Sequence, residues 1–146
     1  MPHELKILHT ARATATGGRN GHTQNSDGLI SADLSVPKGM GGPGKPNTTT
    51  PEDLFAAGYA ACFGGAVEFV AKQKKVNVSE VKVDAAVGIG TTPAGQFGLK
   101  VDMTVNVKGA TQQQAEELVR EAHEKVCPYS HATRGNVDVG FTVTAG

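Results

Sequence analysis

The stretch TPEDLFAAGYAACFGGAVEFVAKQK, residues 50–74, decides the fold. Thr50 is a good N-cap, Pro51 suits the first helical position, and Asp53 stands where a capping box places its acid. Glu52 and Asp53 face the positive end of the helix dipole. The pattern predicts a helix from Thr50 to about Lys74. Its first half is apolar nearly all round, as in a long buried central helix. Gly58, Gly64, Gly65 and several alanines thin its surface, so that another backbone can approach closely. Cys62 sits in the middle of this surface.

Upstream, LKILHTARATAT (5–16) alternates and is rich in β-branched residues, which predicts a half-buried strand. GGRNG (17–21) can make a hairpin-type turn, LISADLSV (29–36) reads as a second strand, and PKGMGGPGKPNTTT (37–50) as a flexible loop. Downstream, 79–89 and 97–107 alternate as two strands around the turn TTPAGQ (91–96), with Val101, Met103, Val105 and Val107 on one face. A second helix is expected over 111–126, opening at Thr111, with Ala115, Leu118, Val119, Ala122 and Val126 on one stripe and Pro128 ending it. NVDVGFTVT (136–144) reads as a last strand. This order predicts an α+β fold with an antiparallel sheet, in one domain spanning 1–146.

The 14 basic and 14 acidic residues balance, which removes any electrostatic case for nucleic acid or an anionic membrane. MPHELKILHT lacks the apolar core of a signal peptide, and the longest apolar stretch, 54–63, is interrupted by Gly58 and falls short of a membrane span. The expectation is a soluble, cytoplasmic protein in which thiols are kept reduced and any disulfide is transient.

Several motifs bear on chemistry. GMGGPGK (39–45) nearly matches a phosphate-binding loop, but Pro46 follows where a hydroxyl and a backbone N–H are needed. His123, Cys127 and His131 recur every four residues, a spacing that zinc ligands use, yet Pro128 turns the chain between them, and no metal is expected. Cys62 and Cys127 are too far apart for a Cys-x-x-Cys motif. Cys62 is mid-helix and desolvated; Cys127 is expected at a helix C-terminus, so neither becomes a thiolate by local geometry. Each can be an inert small core residue. If one is a nucleophile, a distant cation must activate it. Arg19, at the glycine-flanked turn, is the candidate, and Glu52 its partner for a bidentate contact; the plainer alternatives are a solvent-exposed turn arginine and a helix-start acid. Glu52 and Cys62 stand about 15 Å apart along a continuous helix. To serve one guanidinium, either the helix breaks near Gly58 or the helices of two subunits cross.

GGRNG (17–21), TPEDLFAAGYAACFGGA (50–66) and CPYSHATRGN (127–136) resemble the organic hydroperoxide resistance proteins, within the superfamily of the osmotically inducible protein C, along nearly the whole chain. The resemblance implies a cysteine-based thiol peroxidase and an intertwined homodimer with active sites at the subunit interface. It implies Cys62 as the peroxidatic cysteine, Cys127 as the resolving one, Arg19 as the residue that stabilises the thiolate and Glu52 as the one that orients Arg19. The implied substrates are organic peroxides, including fatty-acid hydroperoxides. Electrons would come from dihydrolipoyl groups, free or protein-bound, with no metal, haem or flavin. Thr50 and His131 stand where the family often has Asn. Phe55, Phe97 and Tyr129 are candidates for an apolar substrate pocket. Two other readings are a noncatalytic redox sensor on the same scaffold, which would ordinarily carry a DNA-binding or partner element, and a structural protein with two inert core cysteines.

Overall fold

The computed structural model describes residues 4–146, which divide between Pro51 and Glu52 into two compact units. In the first unit, β1 (Ala13–Thr16), β2 (His22–Asn25) and β3 (Ser31–Asp33) form an antiparallel sheet in that order. The strand expected over 5–16 is paired only from Ala13. Leu5, Ile7 and Leu8 are 71%, 67% and 89% exposed, so their alternation finds no ladder in this chain. The second predicted strand likewise shrinks to Ser31–Asp33, because the register with β2 ends there. The GGRNG turn is a single 3₁₀ turn, Gly18–Asn20. Only glycine fits at Gly21, where a Cβ would lie 1.7 Å from the Thr16 carbonyl oxygen.

The second unit is built on α1 (Pro51–Gln73), β4 (Glu80–Thr91) and β5 (Phe97–Lys108), followed by α2 (Gln112–Glu121), α3 (Pro128–Thr133) and β6 (Asp138–Ala145). Thr111 caps α2 in a full capping box with Gln114. β5 presents Val101, Met103, Val105 and Val107 to the core, and α2 adds Ala115, Leu118 and Val119. β4 and β5 are antiparallel, but β6 runs parallel to β5, which corrects the all-antiparallel expectation. The physical reason is the crossover: a helical connection carries the chain back past the sheet, so the next strand starts at the same end as β5.

α1 is long, but it is buried along one stripe only: Tyr59, Phe63, Ala66, Val67, Val70 and Ala71. Phe69, on the opposite side, is 52% exposed. Within this single chain, one sheet covers one face of the helix, and the opposite face is left open. The length of the helix corrects the expectation that no segment reaches membrane-spanning length, since α1 is long and apolar enough by composition. Its stripe is nonetheless spent on the protein's own core, where Tyr59, Phe63, Val67 and Val70 are fully buried.

Candidate functional site

The two cysteines meet. Cys62, on α1, and Cys127, which precedes α3, place their Sγ atoms 3.5 Å apart across 65 residues of chain. Both are free thiols, Cys62 half-buried and Cys127 buried. A disulfide needs about 2.05 Å, so closing one asks for a movement of about 1.5 Å. Burial pushes the Cys62 thiol above its ordinary pKa; Cys127 beside it adds to the rise, and the backbone N–H of Tyr129 opposes it.

The setting of Cys127 departs from the expected helix C-terminus. After α2 the chain widens into a π-helical turn, Ala122–Val126, and Cys127 closes it by donating its N–H to the Ala122 carbonyl at 2.8 Å. Pro128 does not simply stop a helix. It is the first residue of α3, where its missing N–H costs nothing, and Cys127 is the cap of that helix. The Cys127 Sγ accepts the Ser130 N–H at 3.4 Å. Local geometry therefore does act on both sulfurs.

Behind the pair lies a buried polar network. The Tyr59 hydroxyl is 2.7 Å from Ser130 Oγ and 3.1 Å from Thr133 Oγ1, and His123 Nδ1 is 2.8 Å from Ser130 Oγ. Thr133 Oγ1 donates to the Ser130 carbonyl. Arg134 donates to the His123 carbonyl at 2.7 Å and reaches His131 Nδ1 at 3.3 Å. Burial, then the Arg134 charge, hold His123 below the usual histidine range, with Glu124 opposing. Its ring meets Phe141 edge-on at 5.0 Å. Among the described residues no group of three or more His, Cys, Asp or Glu gathers as a metal site would.

The family model for OsmC-like proteins matches residues 42–142. The chain is 51% identical to an organic hydroperoxide resistance protein of Xanthomonas axonopodis pv. citri, covering 98% of this chain and 99% of that one. It is 47% identical to the organic hydroperoxide resistance protein OhrB of Bacillus subtilis, over 90% of this chain and 95% of that one. The crystal structure of an organic hydroperoxide resistance protein from Legionella pneumophila superposes with a TM-score of 0.88 at 47% identity, covering 95% of this chain and 99% of that one. The chain belongs to the OsmC-like family, in its organic hydroperoxide resistance branch. Membership implies a redox role in peroxide detoxification.

In this OsmC-like chain the other candidate residues stand as follows. Arg19 is half-buried on the turn between β1 and β2, and Glu52 is half-buried in the first turn of α1. α1 runs unbroken through Gly58, so the alternative of a helix break between Glu52 and Cys62 falls away. Phe55 and Tyr129 both pack on Tyr59, at ring separations of 6.0 and 5.9 Å. A Cβ on Gly58 would come within 3.3 Å of the Tyr129 ring, so the glycine makes room for an aromatic side chain there. Phe97 stands apart, 72% exposed at the turn end of the β4–β5 hairpin. Sequence reasoning missed Tyr59, Ser130 and Thr133 as polar partners. Pro128 was the available signal, since proline opens helices as readily as it ends them.

Proposed function

We propose that the chain is a dithiol-dependent peroxidase that reduces organic hydroperoxides through Cys62 and Cys127. The observation that carries this is the 3.5 Å contact between the two free thiols. Two cysteines brought together from so far apart, one half-buried and one buried, match a nucleophile with a resolving partner better than two inert core residues.

In the first step the Cys62 thiolate attacks the outer oxygen of the hydroperoxide. The O–O bond breaks, the leaving alkoxide takes a proton from solvent and departs as an alcohol, and Cys62 becomes a sulfenic acid. In the second, Cys127 attacks that sulfur, the disulfide forms, and the sulfenic hydroxyl leaves with the Cys127 proton as water. A dihydrolipoyl dithiol, free or on a lipoylated protein, then reduces the disulfide by two exchanges and becomes a disulfide itself. No metal, haem or flavin takes part. Burial opposes the Cys62 thiolate, so a cation has to offset it. Arg19 is assigned that role, with stabilisation of the charge developing on the leaving oxygen, and Glu52 holds its guanidinium. With α1 continuous, Glu52 and Cys62 of one chain are about 15 Å apart along the axis. This favours a homodimer of crossed helices in which each Cys62 is served by Glu52 of the partner subunit. Phe55 and Tyr129 offer apolar surface that suits an alkyl group, and Phe97 is assigned to the same pocket. The protein would work in the cytoplasm, on alkyl and fatty-acid hydroperoxides, as part of the response to oxidative stress.

The test is peroxide consumption with tert-butyl hydroperoxide and dihydrolipoamide. Cys62→Ser is expected to abolish turnover. Cys127→Ser should reduce one equivalent of peroxide without forming the internal disulfide. Normal turnover by Cys62→Ser would end this reading, and a disulfide that forms but recycles slowly with every dithiol would make the protein a sensor instead.

A further inference from the structure

We propose that Ser130, anchored by Tyr59 and His123, is a positioning residue for the resolving step, holding the Cys127 sulfur in line with oxidised Cys62. This rests on the peroxidase reading above.

Tyr59 and Cys62 are three residues apart on α1, so they share a face of the helix. Cys127 and Ser130 have the same spacing at the start of α3. The contacts pair them in antiparallel order, Cys62 with Cys127 at 3.5 Å and Tyr59 with Ser130 at 2.7 Å. One rung carries the redox chemistry. The other sets the register between the two segments, and a slip of either would break both.

α3 has six residues, too few to hold itself together in water. Its first turn depends on these side-chain bonds. Ser130 is fully buried and its hydroxyl meets two partners, the Tyr59 hydroxyl and His123 Nδ1, donating to one and accepting from the other, while its N–H binds the Cys127 sulfur. The hydroxyl of Thr133 closes the network on Tyr59. Simple packing would be served as well by phenylalanine and alanine at 59 and 130, with no buried polar atoms to satisfy. What the hydroxyls add is direction: a fully satisfied buried network allows one arrangement. Resolution needs that, because the sulfur must approach by about 1.5 Å along the S–S line.

The experiment separates the two chemical steps. The reduced protein is mixed with one equivalent of tert-butyl hydroperoxide, quenched at intervals, alkylated and weighed by mass spectrometry. Loss of the Cys62 thiol reports the first step, and appearance of the Cys62–Cys127 disulfide reports the second. In Ser130→Ala and Tyr59→Phe the ratio of second to first rate is expected to fall about tenfold, the scale of one buried hydrogen bond. With excess peroxide the longer-lived sulfenic acid should yield more Cys62 sulfinic acid. His123→Asn, whose amide can still meet Ser130, should fall less than His123→Ala. Tyr59→Phe keeps the ring and its packing, so it carries the test if Ser130→Ala does not fold. An unchanged rate ratio in the folded variants overturns the inference while leaving the peroxidase reading intact. A native protein that consumes peroxide without making the Cys62–Cys127 disulfide overturns that reading, and the inference with it.

Discussion

Cys62 is held in two opposing ways. Its apolar helix and the neighbouring sulfur favour the protonated thiol, and the Tyr129 N–H favours the thiolate. A thiol whose folded pKa is raised reacts slowly at neutral pH and gains with alkalinity. With Arg19 in the role proposed for it, Arg19→Ala should slow alkylation of Cys62 by iodoacetamide at pH 7 by tenfold or more, about one pKa unit's worth, and the difference should narrow as the pH rises past the thiol's raised pKa. Equal rates across that range would remove Arg19 from the site. His123 has the opposite sense. Its folded pKa lies below the ordinary value of about 6.5, so the unfolded chain takes up its proton first and stability falls as the pH drops through and below that value. The urea midpoint should drop between pH 7 and pH 5 in the native protein and drop less in His123→Asn. The two cysteines were legible in the sequence as a candidate pair. Tyr59, Ser130 and Thr133 were not, because a tyrosine or threonine in an apolar stretch has the same pattern whether or not its hydroxyl is matched by a residue some 70 positions away.

At the scale of elements, what periodicity and capping encode came through. α1 starts at Pro51, β5 buries the predicted face, and α2 opens at Thr111 with Ala115, Leu118 and Val119 inward, although it ends at Glu121 and the expected remainder to 126 is a π turn in which Val126 is only half-buried. Thr111→Ala removes the side-chain acceptor for the Gln114 N–H and should cost about 1 kcal/mol in chemical denaturation. Loss of less than about 0.3 kcal/mol would mean that α2 is held by its packing alone. Two features were not readable. Strand direction depends on the path of the connection, so the alternation of 136–144 is the same for a parallel β6 as for an antiparallel one. The π turn before Cys127 is one extra residue in a helix, with no change in composition to mark it.

At the scale of the whole molecule, the outer side of α1 and the segment 5–12 carry apolar residues that this single chain does not cover, Phe69, Leu5, Ile7 and Leu8 among them. The proposed homodimer gives them a place. Mixing two variants tests it: Cys62→Ser and Glu52→Gln, unfolded together and refolded, should recover partial peroxidase activity if Glu52 serves the cysteine of its partner, because each mixed dimer then holds one complete site. If mixing restores nothing although native mass spectrometry shows mixed dimers, Glu52 works within its own chain. The family could be read from three motifs, but the number of chains at the site could not, since spacing along one helix sets a distance and leaves open which subunit closes it.

The parallel pairing of β5 with β6 has a consequence for how the thiols are protected. The segment between those strands contains the π turn, Cys127 and α3, so the sheet cannot be completed until that segment has been made and folded. During synthesis Cys62 emerges 65 residues ahead of Cys127. A nascent chain thus carries a solitary thiol, and an incompletely folded one a thiol whose partner is not yet beside it, either of which peroxide can take to sulfinic acid with no resolving thiol in place. On the proposed mechanism, protection of Cys62 arrives only with the last strand, and slow folding under peroxide stress should leave a population of chains dead at Cys62 and intact at Cys127.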